Sequence, residues 1–261
     1  MLVLGLADRM VGYTGISGWK TLDEEMRAGV DKLPELSEKY PSKEVLVGAD
    51  ADFFFAGWNY GMKVGGEVTP ETLDPFGIQV YELTESCTHI MQKDKASIED
   101  MYNDLLNLGR IFDVEDKAAA LVQRYRAELA AFTDNLETDA PLRVFVYDSG
   151  EDAPFTVGLY AMPTALIEAA GGVNVMDNFN KNWVSVTWEE VVERNPEVIV
   201  IVNYGNVTAE QKREFMMSNP AFANIDAVKN DRFVTLEYVE ATPGPRNIRA
   251  IKTLANAFWG Q

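Results

Sequence analysis

The stretch VTWEEVVERNPEVIVIVNYG, Val186 to Gly205, decides the fold because it has a looser echo earlier in the chain, SKEVLVGADADFFFAGWNYG, Ser42 to Gly61. Each opens on a hydroxyl residue two positions before a glutamate, Thr187 before Glu189 and Ser42 before Glu44. In each, an acidic residue eight positions after that glutamate, Glu197 or Asp52, starts an apolar β-type run ending in Asn-Tyr-Gly. A hydroxyl before a short helical pattern reads as an N-cap. A continuous apolar run bounded by turn residues reads as a strand buried on both faces. A capped helix followed by a buried strand is half of an α/β unit, and this chain builds it twice.

Working outward, the pattern continues to alternate. Helical periodicity is predicted over TLDEEMRAGVDKL, over SIEDMYNDLLNLGRIF with Ser97 and Asp100 as a capping box, and over TALIEAAGG, WEEVVERN and AEQKREFMM. A short helix is predicted from Pro70 to near Gly77, and a last one from about Pro245 to Trp259. Strands are predicted at DFFFAG, IQVYEL, RVFVYD, EVIVIV and RFVTLEY. The longest helical pattern runs from Asp116 to about Leu136, with Leu121, Val122, Tyr125, Leu129, Phe132 and Leu136 at three-four spacing. Two α/β lobes joined by one long helix is the economical architecture: an N-terminal lobe over 1–112, the helix over 113–138 and a C-terminal lobe over 139–261.

Bulk properties narrow the function. The 261 residues carry 41 acidic against 23 basic side chains, a formal charge of −18, which repels phosphate backbones and disfavours nucleic acid and anionic lipid as partners. With 47% hydrophobic and 25% charged residues, the chain has the composition of a soluble globular protein. Cys87 alone makes no intrachain disulfide. No apolar run approaches the roughly 20 residues that span a bilayer, and the start MLVLGLADRMVGYTG lacks the basic and long apolar regions of a signal peptide.

Catalytic and metal signatures are sparse. His89 is the only histidine, and Cys87-x-His89 is an isolated pair, read more simply as a buried small hydrophobe beside a lone imidazole. TGISGW misses a nucleophile elbow by one position, and neither G-x-G-x-x-G nor a P-loop occurs. The reading is therefore not an enzyme, with no metal site of its own and no intrinsic cofactor.

Aromatic residues at strand ends carry the positive signal, because side chains past the carboxyl ends of parallel strands line the ligand crevice of α/β proteins. Trp58 and Tyr60 follow DFFFAG, Tyr204 follows EVIVIV and Tyr238 ends RFVTLEY. Each taken singly reads equally well as core packing. Arg246, after the Pro/Gly turn of TPGPRNIR, reads either as a partner for an anionic ligand group or as a surface ion pair, with Arg9 and Lys20 as weaker candidates.

The segments LGLADRMVGYT, SKEVLVGADADFFFAGW, LGRIFDVEDKAAALVQRY, AAGGVNVMD, WEEVVERNPEVIVIVNYG and TPGPRNIRAIKTLANAFW, in that order and spacing, resemble the substrate-binding proteins of ABC importers for iron–siderophore, haem and cobalamin. The resemblance covers nearly the whole chain. It implies an extracytoplasmic protein, in the periplasm or lipid-anchored, that captures a bulky metal chelate in an interlobe cleft. It adds Tyr13 and Trp183 to the cleft residues and assigns Glu44 and Glu189 to docking on the permease. From the residues alone, both glutamates are also explained by a helix dipole that favours acidic groups in a first turn, and Glu190 reads as the capping-box partner of Thr187. Family members carry a strand and a helix ahead of the segment matching LGLADRMVGYT, so the resemblance implies an N-lobe lacking its first strand, with a rearranged sheet or a strand-mediated dimer. The alternatives are an enzyme or metal-cluster protein on a related two-lobed fold, and a ligand sensor that does not transport.

Overall fold

The computed structural model describes residues 1–16, 24–133, 136 and 140–260. The chain forms two compact units, one from Met1–Gln92 with Asp100–Val122, the other from Lys93–Glu99 with Gln123–Gln261.

In the first unit the order is β1 (Tyr13–Thr14), α1 (Glu24–Val30), β2 (Glu35–Ser37), α2 (Lys43–Gly48), β3 (Phe53–Trp58), β4 (Gly61–Met62), α3 (Pro70–Leu73), β5 (Gln79–Glu82), α4 (Ile98–Ile111) and the start of α5 (Glu115–Thr133). Its described strands form two separate parallel sheets, β1–β2 and β4–β3–β5. The predicted helix from Pro70 stops where Gly77 takes a left-handed φ of 74°, after a 3-10 turn through Phe76. The core gathers Leu46, Ala56, Trp58, Met62, Val68, Leu73, Ile78 and Cys87.

Helix α5 has 19 residues, about 28 Å of rise. Its first two turns belong to the first unit and the rest to the second. It ends at Thr133, short of the expected Leu136, which is not helical.

The second unit follows with β6 (Leu142–Tyr147), β7 (Phe155–Val157), α6 (Met162–Ala169), β8 (Gly172–Asn174), β9 (Trp183–Ser185), α7 (Trp188–Arg194), β10 (Val198–Asn203), α8 (Ala209–Ser218), α9 (Asp226–Lys229), β11 (Phe233–Glu237), α10 (Tyr238–Ala241) and α11 (Asn247–Trp259). Its main sheet is parallel, in the order β11–β10–β6–β8. Val198 to Val202 in β10 are all buried, as a strand covered on both faces requires. Short β7 and β9 pair antiparallel, a hairpin-like addition that the apolar patterning does not announce.

One local detail differs from expectation. Thr187 accepts the Glu190 N–H at 3.2 Å, but the Glu190 carboxylate turns to Arg194, 2.5 Å away, instead of closing a capping box. Ser97 Oγ accepts the Glu99 N–H at 3.2 Å at the start of α4.

Candidate functional site

The second unit brings three of the predicted aromatics into one group. β10 and β11 run in register, with Asn203 beside Glu237, so the next residues, Tyr204 and Tyr238, emerge as neighbours at the carboxyl ends of adjacent strands. Their ring centroids lie 5.1 Å apart at 59°. Asn203 fixes the level beneath them by donating to Glu237 at 3.0 Å and accepting the Ala209 N–H at 3.1 Å.

Tyr204 is held by groups that the sequence reading passed over. Its hydroxyl donates to Asp148 Oδ2 at 2.6 Å, and Ser149 Oγ donates to the same oxygen at 2.8 Å. Lys212 is only 3% exposed; its ammonium donates to the carbonyls of Asp148 at 2.5 Å and Val202 at 2.6 Å and sits 4.8 Å from the Tyr204 ring centre. Burial pushes the Asp148 carboxyl up, against the opposing effects of Tyr204, Ser149 and Lys212. Burial likewise pushes the Lys212 ammonium down, with the Asp148 charge opposing it. A buried cation under one tyrosine and a buried carboxylate on its hydroxyl leave that ring little freedom.

The same network reaches Trp183. Asp148 N–H donates to the Phe155 carbonyl at 3.1 Å, and the Phe155 ring stacks on Trp183 at 5.7 Å and 19° across the β7–β9 pair. Trp183, Phe155, Asp148, Tyr204 and Tyr238 thus form a continuous chain of contacts, from the β7–β9 pair to the carboxyl ends of β10 and β11. Arg246, half-buried, stands as the N-cap residue of α11. The missed Lys212 left one signal: it lies four residues before the fully buried Met216, on the helical face that turns inward.

In the first unit the predicted residues scatter more widely. Trp58 is 7% exposed and belongs to the core, its indole N–H donating to Glu82 at 2.5 Å. Of the two readings given for Trp58, these contacts describe core packing. Tyr60 is half-buried in the turn after β3, where Asn59 takes a left-handed φ of 67°. That turn needs Gly57: a Cβ there would lie 2.9 Å from Leu83 and Ser86 and 3.0 Å from the Tyr60 ring. Tyr13 lies on β1 opposite Glu35, and burial with the charges of Glu35 and Asp31 pushes its phenol up. Arg9 spreads over the Phe112 ring, 5.5 Å away, and Phe112 packs edge-on against Phe53 at the amino end of β3. These contacts place Arg9 near the amino end of β3, away from its carboxyl end. Lys20 lies outside the described residues.

Glu44 and Glu189 are both exposed in the first turns of α2 and α7. Ser42 caps α2 through the Val45 N–H at 3.4 Å. The Glu44 carboxyl is held below its ordinary range by its own backbone N–H first, then by Ser42 and Glu67. Glu189 owes its position to its neighbour: Trp188 is buried against Tyr147, Phe215 and Phe222, with its N–H on the Glu151 carbonyl at 2.6 Å. With Val191 also buried, α7 can only turn Glu189 outward.

Among the described residues no three or more His, Cys, Asp or Glu side chains gather to hold a metal ion. No described helix is long and apolar enough to cross a membrane.

The family model for periplasmic binding proteins matches residues 1–239. This chain belongs to that family. It is a binding protein of the ABC-transporter type, not an enzyme. It is 23% identical over 98% of its length to the uncharacterized ABC transporter substrate-binding lipoprotein YvrC of Bacillus subtilis, of which it covers 75%. It is 28% identical to the vitamin B12-binding protein of Salmonella choleraesuis, over 69% of this chain and 64% of that protein. A periplasmic binding protein from Veillonella parvula shares the fold with a TM-score of 0.87 and 31% identity, over all of this chain and 87% of the other.

Proposed function

We propose that the protein captures a bulky metal chelate, of the ferric siderophore, haem or cobalamin class, outside the cytoplasm and delivers it to the permease of an ABC importer. The observation that carries this reading is the braced aromatic group at the strand ends of the second unit. Large rigid rings bury much ligand surface at little rotamer cost, and the buried Lys212 and Asp148 fix one of those rings before any ligand arrives. Tyr13 and Tyr60 take the same role at the first unit's own strands, and Arg246 meets an anionic group of the ligand. The protein needs no cofactor of its own. A periplasmic or surface-tethered location follows from the family, and the lipoprotein name of the Bacillus relative supports the tethered form.

The test is quenching of intrinsic tryptophan fluorescence, with native mass spectrometry, against haemin, cyanocobalamin and ferric hydroxamates. One class should bind, and Tyr204→Ala with Tyr238→Ala should weaken it by about tenfold or more. Failure of all three classes to bind would refute the reading.

Delivery is assigned to Glu44 and Glu189. Reversing both charges, Glu44→Arg with Glu189→Arg, should leave ligand affinity intact and abolish uptake through the reconstituted importer. Unchanged uptake would discard the docking role and favour a sensor.

A further inference from the structure

Neither ligand capture nor docking makes use of Asp104, a carboxyl on α4 that is 4% exposed. Its Oδ1 accepts the Tyr81 hydroxyl of β5 together with the N–H and hydroxyl of Thr84, the first residue of the 3-10 turn that leaves β5. Its Oδ2 is buried and has no hydrogen bond among the described residues. A neutral acid fits that pattern, accepting on one oxygen and carrying its proton on the other. Without the proton, charge would sit on a buried oxygen that meets no donor, which is costly until water reaches it.

The turn is the part able to admit that water. Helix α4 is anchored by Met101, Tyr102, Leu105 and Leu108, none more than 4% exposed. The turn is held at its inner end: Thr84 by Asp104, Ser86 Oγ by the Trp58 N–H at 2.9 Å, and Cys87 by burial in the core. Past Cys87 the chain runs outward, leaving Ile90 62% and Met91 47% exposed. The turn follows the carboxyl end of β5, beside that of β3, the end at which α/β proteins take ligands. The ionisable groups around Asp104 are Tyr81, Asp100 one turn earlier on α4, and Glu85, buried beside Thr84. Arg110 is linked to it through Asn107 and the Tyr81 hydroxyl. Glu115 lies where Ala118 of α5 meets Gly109 of α4, and Glu82 and His89 both contact Trp58.

Resting on the importer reading above, we propose that a proton on Asp104 latches this turn in place, and that its loss loosens the turn and with it the hold on ligand. Burial lifts the carboxyl to about 6, with the Asp100 charge adding to it and the Thr84 and Tyr81 hydrogen bonds opposing. A folded value above the unfolded 3.8 makes the latch complete below pH about 4 and releases it as pH rises through about 6. Asp104→Asn mimics the latched form, because its amide places N–H where the acid keeps its proton.

Cys87 reports on the turn directly, since it is buried there and is the chain's only cysteine. The experiment follows its labelling by a maleimide from pH 5 to 8 in the purified full chain, for wild type, Asp104→Asn and His89→Gln. Thiol ionisation is common to all three, so the ratio of wild-type to Asp104→Asn rates isolates the latch. That ratio should rise about tenfold from pH 5 to 8, and His89→Gln should track wild type. A flat ratio, or loss of the rise in His89→Gln, would overturn the assignment of Asp104. Whichever of haemin, cyanocobalamin or a ferric hydroxamate binds should lose affinity over the same pH range in wild type relative to Asp104→Asn. Equal affinity profiles would overturn the link to ligand. Binding of none of the three would bring down the importer reading and that link together, while the labelling ratio alone still decides the latch.

Discussion

The Asp104 carboxyl on α4 makes a quantitative forecast for the stability of the first unit. Three donors converge on its Oδ1: Tyr81 hydroxyl at 2.9 Å, Thr84 N–H at 3.0 Å and Thr84 Oγ1 at 2.6 Å. Its Oδ2 is buried without a hydrogen bond among the described residues. Burial dominates these hydrogen bonds, and with the nearby Asp100 charge it lifts the carboxyl from 3.8 to about 6. A folded pKa above the unfolded one means that the native state holds the proton more tightly. The associated stability is fully present below pH about 4 and is lost as pH rises through about 6. A separation of roughly two units corresponds to on the order of 3 kcal/mol. Asp104→Asn keeps an acceptor on the three donors and cannot ionise. The variant and wild type should therefore be closest in relative stability near pH 4, with wild type losing roughly 3 kcal/mol against the variant by pH 7. Urea unfolding of both proteins at each pH measures the difference. Hydrogen exchange over residues 98–111, compared between the two proteins at matched pH, localises it to α4. A wild-type-minus-variant difference that stays flat from pH 4 to 7, or runs the other way, refutes the argument from burial.

Three further outcomes are expected. Trp188→Ala empties an aromatic nest built from Tyr147, Phe215 and Phe222 and should cost about 3–5 kcal/mol in urea unfolding. Lys212→Met leaves two buried carbonyls without their donor and Asp148 without its cation, so it should cost about 2–4 kcal/mol. Adding Asp148→Asn should recover part of that loss in a double-mutant cycle, and strict additivity would refute the coupling. Removing the caps by Ser42→Ala or Thr187→Ala should cost about 1 kcal/mol each by the same unfolding measurement.

The strands that read as buried from sequence alone are those whose apolar run is long, and EVIVIV is the clearest because both faces of β10 are covered. The short β7 and β9 were illegible: three residues each cannot establish a period, and their pairing depends on a contact across 25 or more positions. Trp58 and Tyr204 both stand at the carboxyl end of an echoed strand, two motif positions apart, but in different environments. The first is drawn inward by Glu82, while the second is kept at the strand end by Asp148. No local pattern distinguishes them, because the deciding carboxylates lie 24 and 56 residues away. Lys212 was hidden for another reason. A lysine in a helix with Glu210 and Arg213 looks solvated until its inward face and two carbonyl acceptors are seen.

The two echoed helices also differ in how they would carry a load. Glu189 is bonded in sequence to Trp188, whose ring is wedged into the centre of the second unit, so a pull on that carboxylate is delivered straight to the main sheet through Tyr147 on β6. Glu44 rides on a six-residue helix whose one fully buried side chain is Leu46, so the same pull is taken up within two turns of backbone. A transmembrane partner gripping both would hold one stiff handle and one compliant one. Force or strain arising in that partner would then reach the Tyr204 network before it disturbed the first unit.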